Sequence, residues 1–185
     1  MIKKYNYKNI LTEEDQDLYI KIIDKIYEGG DYDKNNPGIQ TPPYLFDYPE
    51  FFKLRQTFFL SCSSYLNRDV TLNLHNAEVK CWCHMNYRYK QQRDDIENYW
   101  HDHNPTEISG IYYLKTPKTG LTQFKTGTEF LDKSIGYISP ENFSWFIFPS
   151  HLIHRPGLIK SNQKRYVIAA TLTTEYFLLR SFGLG

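Results

Sequence analysis

The sequence has little cysteine, no surplus of either charge and no long apolar run. Its only cysteines are Cys62, Cys81 and Cys83, an odd and small number that argues against a disulfide framework and fits a reducing compartment. The 22 basic and 21 acidic residues leave a formal charge of +1, so no global field directs the chain to nucleic acid or to an anionic membrane surface. No apolar stretch approaches the roughly 20 residues that span a bilayer. The opening MIKKYNYKNILTEEDQ lacks the apolar core of a secretory leader, so a cytoplasmic protein is the expectation. Repeats, low-complexity stretches and interdomain linkers are also absent. The 185 residues are therefore expected to form a single domain, with residues 1–69 as a helical support region and 70–185 as a β core.

Aromatic side chains are abundant: 16 Tyr, 12 Phe and 3 Trp. Aromatics favour pleated, half-buried surfaces, so a β-rich core is the first reading. A stacking platform for bases is the alternative.

Helical texture is confined to the first half. Thr12 is placed to cap a helix that opens with Glu13, Glu14 and Asp15, acids that suit the positive end of the helix dipole. Leu18, Ile22, Ile23 and Ile26 follow at helical spacing, and Gly29–Gly30 ends the run. The Asp-, Asn-, Gly- and Pro-rich residues 30–43 read as a loop. A second helix is expected from Pro49, with Phe51, Leu54, Phe58, Cys62 and Tyr65 on one face and Asn67–Asp69 as its end.

From Val70 the segments become short, alternating and rich in β-branched and aromatic residues. The expected strands are Thr71–Leu74, Glu78–Tyr89, Glu107–Leu114, Thr122–Lys125, Ser144–Phe148 and Arg165–Leu172. Turn residues punctuate them at Thr116–Gly120, Ser139–Asn142 and Arg155–Gly157. Strands at such short intervals suggest a sandwich or barrel, a double-sheet jelly roll among them, with the two helices over one sheet.

Six histidines occur: His75, His84, His101, His103, His151 and His154. His101 and His103 stand at i and i+2, so in an extended segment both leave the same face and suit one metal ion. His154, at the end of the apolar run Ser144–Pro149, is the best candidate for a third ligand. An H-x-H pair alone is a weak signal, and for His75 and His84 a structural or surface role is the plainer reading. Cys81, Cys83 and His84 have the wrong spacing for a structural zinc site and no second pair, so they read as part of a strand.

These histidines belong to a longer pattern. After His103 comes Ser109–Tyr113 as S-G-x-Y-Y, then Phe148–His154 as F-P-S-x-x-x-H, then Lys164–Arg165 opening the last strand. Together, over about Lys80 to Leu172, these elements resemble the Fe(II)/2-oxoglutarate-dependent oxygenase superfamily. The likeness is to an H-x-H…H subgroup of oxygenases, with prolyl-hydroxylase-like enzymes more distant. It implies a double-stranded β-helix (jelly roll), mainly β with N-terminal helices. It further implies Fe(II) on His101, His103 and His154, with open positions for the 2-oxo acid and O₂. Arg165 matches the family's basic position for the distal carboxylate of 2-oxoglutarate, with Lys164 and Arg155 as fallbacks. Tyr113 matches a tyrosine that reaches the same carboxylate, and Asn86 a residue beside the co-substrate. Ser109 and Gly110 are expected to permit close packing. Most of the superfamily carries H-x-D, so Asp102 is the rival second ligand, although an ideal strand turns it to the opposite face.

The implied reaction consumes 2-oxoglutarate and O₂, releases succinate and CO₂, and hydroxylates an unidentified substrate, a peptide side chain or a small molecule. The polar stretches Asp31–Gln40 and Gln91–Asn98 are candidate substrate loops. Two other readings stay open: a three-histidine dioxygenase without 2-oxoglutarate, and a non-enzymatic jelly-roll binding module.

Overall fold

The computed structural model describes residues 1–31, 39–71, 77–86, 99–117, 119–125, 135–160 and 162–181. In chain order the elements are β1 (Lys3–Asn6), α1 (Glu13–Glu28), β2 (Ile39–Gln40), α2 (Phe52–Leu66) and β3 (Glu78–Asn86). Then come β4 (Ile108–Lys115), β5 (Gln123–Lys125), β6 (Ile135–Tyr137), β7 (Ser144–Pro149), β8 (His154–Arg155), β9 (Arg165–Thr173) and α3 (Glu175–Ser181).

Helix α1 starts where its cap dictates. The Asp15 N–H donates to Thr12 Oγ1 at 3.2 Å, and the Thr12 N–H donates back to the Asp15 carboxylate at 2.9 Å. Its buried stripe is Gln16, Tyr19 and Ile23 rather than one through Leu18, which is 41% exposed. Tyr19 takes the core position because its ring stacks on Phe51 at 4.6 Å, and Leu18 lies one residue, about 100°, around the helix. Pro49–Phe51 forms a 3₁₀ turn that leads into α2. Phe51, Leu54, Phe58 and Cys62 are fully buried at the expected spacing, and Asn67 closes the helix in the left-handed region at φ 53°.

The strands form two sheets. The larger has the order β1-β7-β4-β9-β3-β2 and is antiparallel throughout; the smaller is β6-β5-β8. Ile111, Tyr113, Phe124, Phe146, Phe148 and Val167 pack together between the sheets, while α1 and α2 cover the outer face of the larger one through Trp145, Tyr112 and Phe58. Gly110 lies where β4 passes under α2: a Cβ there would stand 2.8 Å from Phe58 and 2.9 Å from Ile147. The sequence reading expected close packing here beside the functional site, but at Gly110 it falls on the helix face of the sheet.

Several elements depart from the sequence reading. Strands β1, β2, β6 and β8 and helix α3 were not anticipated. β1 is Lys-Lys-Tyr-Asn without alternation, and only its pairing with β7 and the Asn6 bond to Ser144 Oγ at 2.8 Å make it a strand. β2 falls inside the stretch read as loop and exists through its register with β3. Of the expected strand Thr71–Leu74 only Thr71 lies within the described residues, and His75 and Gln91–Asn98 lie outside them. Among the described residues no helix is long and apolar enough to cross a membrane.

Candidate metal centre

Two backbone bonds bring His101 and His154 together across 53 residues of sequence. The His101 N–H donates to the His154 carbonyl at 3.0 Å and the His154 N–H returns to the His101 carbonyl at 2.9 Å. The His103 N–H donates to the Ser150 carbonyl at 2.9 Å, so H-x-H lies alongside β8 and the turn before it through an isolated β-bridge at His101. As the i, i+2 spacing requires, both side chains leave one face. The ligand nitrogens of His101, His103 and His154 all lie within 4.8 Å of one another.

Backbone carbonyls hold the His101 and His154 rings in one tautomer each. His101 Nδ1 sits 3.2 Å from the Tyr99 carbonyl and His154 Nδ1 2.9 Å from the Leu152 carbonyl. A carbonyl only accepts, so in both rings Nδ1 carries the proton and Nε2 keeps its lone pair for a ligand. Burial lowers the basicity of all three, and their mutual repulsion adds to it for His103 and His154: His103 is pushed down to about 4 and His154 to about 3, with His101 lowered as well. The rings are thus neutral, metal-ready ligands at neutral pH. Phe124 stacks on His154 at 5.5 Å and Phe148 meets it edge-on at 5.2 Å, walling off its inner side. On the outer side Tyr99 packs on His101 at 4.6 Å and Trp82 meets His103 at 5.4 Å.

Asp102 lies beside the cluster, close enough for its charge to oppose the lowering of His101 and His154. Its carboxylate accepts the Asn104 N–H at 3.2 Å and the Asn104 side-chain amide at 2.9 Å, and it is not part of the three-nitrogen cluster.

The histidines open into a cavity of about 460 Å³, and Arg165 lies in the same cavity wall. Arg165 opens β9 opposite Asn86 of β3 and is only 2% exposed. Its guanidinium donates to Asn86 Oδ1 at 3.2 Å and to Thr122 Oγ1 at 3.3 Å, both neutral, and its buried Nε has no partner. Among the described residues no carboxylate pairs with it. Burial lowers its pKa, opposed by Tyr113 and Cys83. A buried guanidinium whose partners are both neutral could hold an anion, and a carboxylate fits its planar fork.

The other candidate cations face away from this cavity. Arg155 donates to Gln123 Oε1 at 2.8 Å and covers Trp100 at 4.4 Å, while Lys164 reaches Asp24 at 3.2 Å. Tyr113 lies one layer behind the wall. Its hydroxyl donates to Thr122 Oγ1 at 2.8 Å, and its ring lies 5.7 Å from the guanidinium carbon. Asn86 is fully buried beside Arg165. Sequence reasoning missed Thr122, which joins Tyr113 to Arg165, because a threonine at the start of a short strand carries no chemical signature. It also missed Lys80, Trp82 and Tyr99 of the outer wall, to which Gln40, the last residue of the candidate substrate loop Asp31–Gln40, contributes. Cys81 and Cys83 are buried free thiols on the helix side of β3, with burial raising Cys83 to about 12, so they form no zinc site.

No family model matches the sequence, and no curated protein matches it. Solved structures do match in fold. A Pseudomonas putida prolyl-4-hydroxylase aligns over 93% of this chain and 92% of its own, with a TM-score of 0.61 and 10% identity. The non-haem α-ketoglutarate-dependent epimerase SnoN of nogalamycin biosynthesis aligns over 94% and 76%, with a TM-score of 0.70 and 8% identity. A Trichoplax adhaerens prolyl hydroxylase, solved with a hypoxia-inducible-factor peptide, aligns over 97% and 86%, with a TM-score of 0.61 and 15% identity. The chain therefore has the double-stranded β-helix fold of the 2-oxoglutarate oxygenases, as the sequence pattern led one to expect.

Proposed function

We propose that the chain is an Fe(II)- and 2-oxoglutarate-dependent oxygenase. In this reading His101, His103 and His154 hold the metal and Arg165 holds the distal carboxylate of the co-substrate. The observation that carries it is the pairing, in one cavity, of three neutral imidazoles with a buried guanidinium that lacks an anion. The donor set fits a divalent transition metal, and the Arg165 guanidinium, which lines the cavity and bonds only neutral groups, fits a dicarboxylate. When bound, Fe(II) with 2-oxoglutarate and O₂ supplies the oxidation of a substrate C–H bond, leaving succinate, CO₂ and a hydroxylated product.

The protein's own share is positioning and exclusion of water. The Tyr99 and Leu152 carbonyls fix the tautomers of His101 and His154, and Phe124 and Phe148 shield His154 from solvent. Asn86 and Thr122 aim the guanidinium, and Tyr113 holds Thr122 in place. His103 serves as second ligand in preference to Asp102, whose carboxylate is committed to Asn104. Trp82, Tyr99 and Lys80 form the outer wall, where a peptide side chain or small molecule would enter.

The test is anaerobic titration of the metal-free protein with Fe(II) and then 2-oxoglutarate, following the weak visible charge-transfer band of a chelated 2-oxo acid. A saturable band, lost in His154→Ala and weakened in Arg165→Ala, is expected. Bound iron without a band would favour a three-histidine enzyme that needs no 2-oxoglutarate. Absence of iron binding would leave a jelly-roll binding module.

A further inference from the structure

The three candidate ligands are not held alike. The rings of His101 and His154 each meet a backbone carbonyl at Nδ1, at 3.2 and 2.9 Å. Among the described residues the His103 ring has no such bond, and Trp82 meets it only edge-on at 5.4 Å. A ligand ring that no hydrogen bond orients must be placed through its own backbone. On His103 both backbone groups are engaged. The N–H donates to the Ser150 carbonyl at 2.9 Å, while the carbonyl accepts the Thr106 N–H at 2.9 Å and the Thr106 hydroxyl at 2.7 Å.

The contact continues into the core. Thr106 Oγ1 also stands 2.7 Å from Ser150 Oγ, and Ser150 Oγ stands 2.8 Å from Ser109 Oγ. Ser150 thus reaches His103 twice, directly by its carbonyl and through Thr106 by its hydroxyl. Ser150 and Ser109 are 0% and 1% exposed, so bulk water offers their hydroxyls no alternative partner. They are the serines of F-P-S-x-x-x-H and S-G-x-Y-Y, two motifs far apart in the sequence. Ser109 lies on β4, which runs between β7 and β9 in the larger sheet. Buried hydroxyls bonded in series move together, because displacing one leaves its neighbour unpaired. The series therefore ties the His103 segment to the middle of the sheet.

We propose that the Ser109–Ser150–Thr106 hydroxyl chain sets the position of the second metal ligand, His103, fixing at its backbone what the other two ligands have fixed at their rings. The inference rests on the three-histidine metal reading and is independent of the co-substrate. Thr106, Ser150 and Ser109 are positioning residues: they lie outside the ligand cluster and act through His103. Ser109, expected from the sequence to serve close packing, is the anchor of the chain.

The experiment measures Fe(II) affinity anaerobically by competition with a chelator, and the visible ligand-field bands of the Co(II)-loaded protein, which report the geometry of the donor set. Thr106→Val removes the hydroxyl at nearly the same shape. It is expected to weaken Fe(II) binding about tenfold and to shift the Co(II) bands. Thr106→Ser keeps the hydroxyl and is expected to match the wild type in both. Ser109→Ala, at the far end of the chain, is expected to act in the same direction by about threefold. A double-mutant cycle separates positioning from general loosening: in a His103→Ala background, Thr106→Val is expected to change metal affinity by less than about twofold. Wild-type affinity and bands in Thr106→Val overturn the positioning role and leave the metal centre standing. So does an equal loss in Thr106→Ser, or a full tenfold loss (about the single-variant effect) in the His103→Ala background. Failure of the wild type to bind either ion overturns the positioning role together with the metal reading.

Discussion

The two faces of the larger sheet are built from the same strands and solve opposite problems. On β3, Cys81, Cys83 and Met85 point under the helices into a closed apolar layer, while Lys80, Trp82 and His84 face the cavity. On the helix side the fully buried Trp145 packs on Phe58 at 5.0 Å, and its Nε1–H donates to Thr57 at 3.0 Å, so polar and apolar needs are both met internally. On the cavity side, Arg165 is as deeply buried but carries a charge without a counter-ion among the described residues. Trp145, which completes the fold, has its one polar group satisfied within it. A residue that awaits a ligand costs stability until the ligand arrives.

That contrast has a sharp consequence: truncation should act with opposite sign on the two faces. The largest effect is expected for Trp145→Ala, which should destabilise the protein by about 3–5 kcal/mol through the cavity left among Phe58, Phe46 and Tyr112. Chemical denaturation would measure it, and metal affinity of the folded fraction should stay unchanged. Arg165→Met should do the reverse. It should cost at least about a hundredfold in 2-oxoglutarate affinity, and it should leave the ligand-free protein as stable or more stable, by about 1–4 kcal/mol. A large loss of stability in Arg165→Met would break the contrast, since it would make Arg165 a structural residue.

Acid should act mainly on the cavity face. Well above pH 6.5, roughly one to two pH steps higher, the histidines are neutral in both folded and unfolded chains and contribute no difference. As pH falls from 6.5 toward 4, the unfolded chain takes up protons that folded His103 and His154, held near 4 and 3, refuse. Unfolding is therefore favoured, by about 1–2 kcal/mol per histidine between pH 7 and 5 in the metal-free protein. Thermal denaturation across that range should show the loss, and His154→Ala should reduce it. A pH-independent Tm would contradict the burial of these rings.

The smallest effect is expected at Asp102. Because its carboxylate serves Asn104, Asp102→Asn should change Fe(II) affinity by no more than about threefold, measured by competition with a chelator. A loss comparable to that in His103→Ala would instead make Asp102 the second ligand.

Much of this was written locally. The two-residue period of β3, the helical spacing of Phe51, Leu54, Phe58 and Cys62, and the Thr12 cap each depend on neighbours a few positions away, so the sequence alone determined them. So did the shared face of His101 and His103, which follows from extended geometry. What only the tertiary structure decided involves residues distant in the chain. The bonds between His101 and His154 bring to one point the three histidines that the sequence could only nominate, and the pairing of Asn86 with Arg165 sets in the cavity wall the cation named ahead of Arg155 and Lys164. Thr122 gains its place from Tyr113 and Arg165, and β1 becomes a strand only against β7. The physical reason is common to all four. A side chain's neighbours across a sheet are set by strand register and by which face is buried, and neither quantity is a property of the residue's own surroundings in the chain.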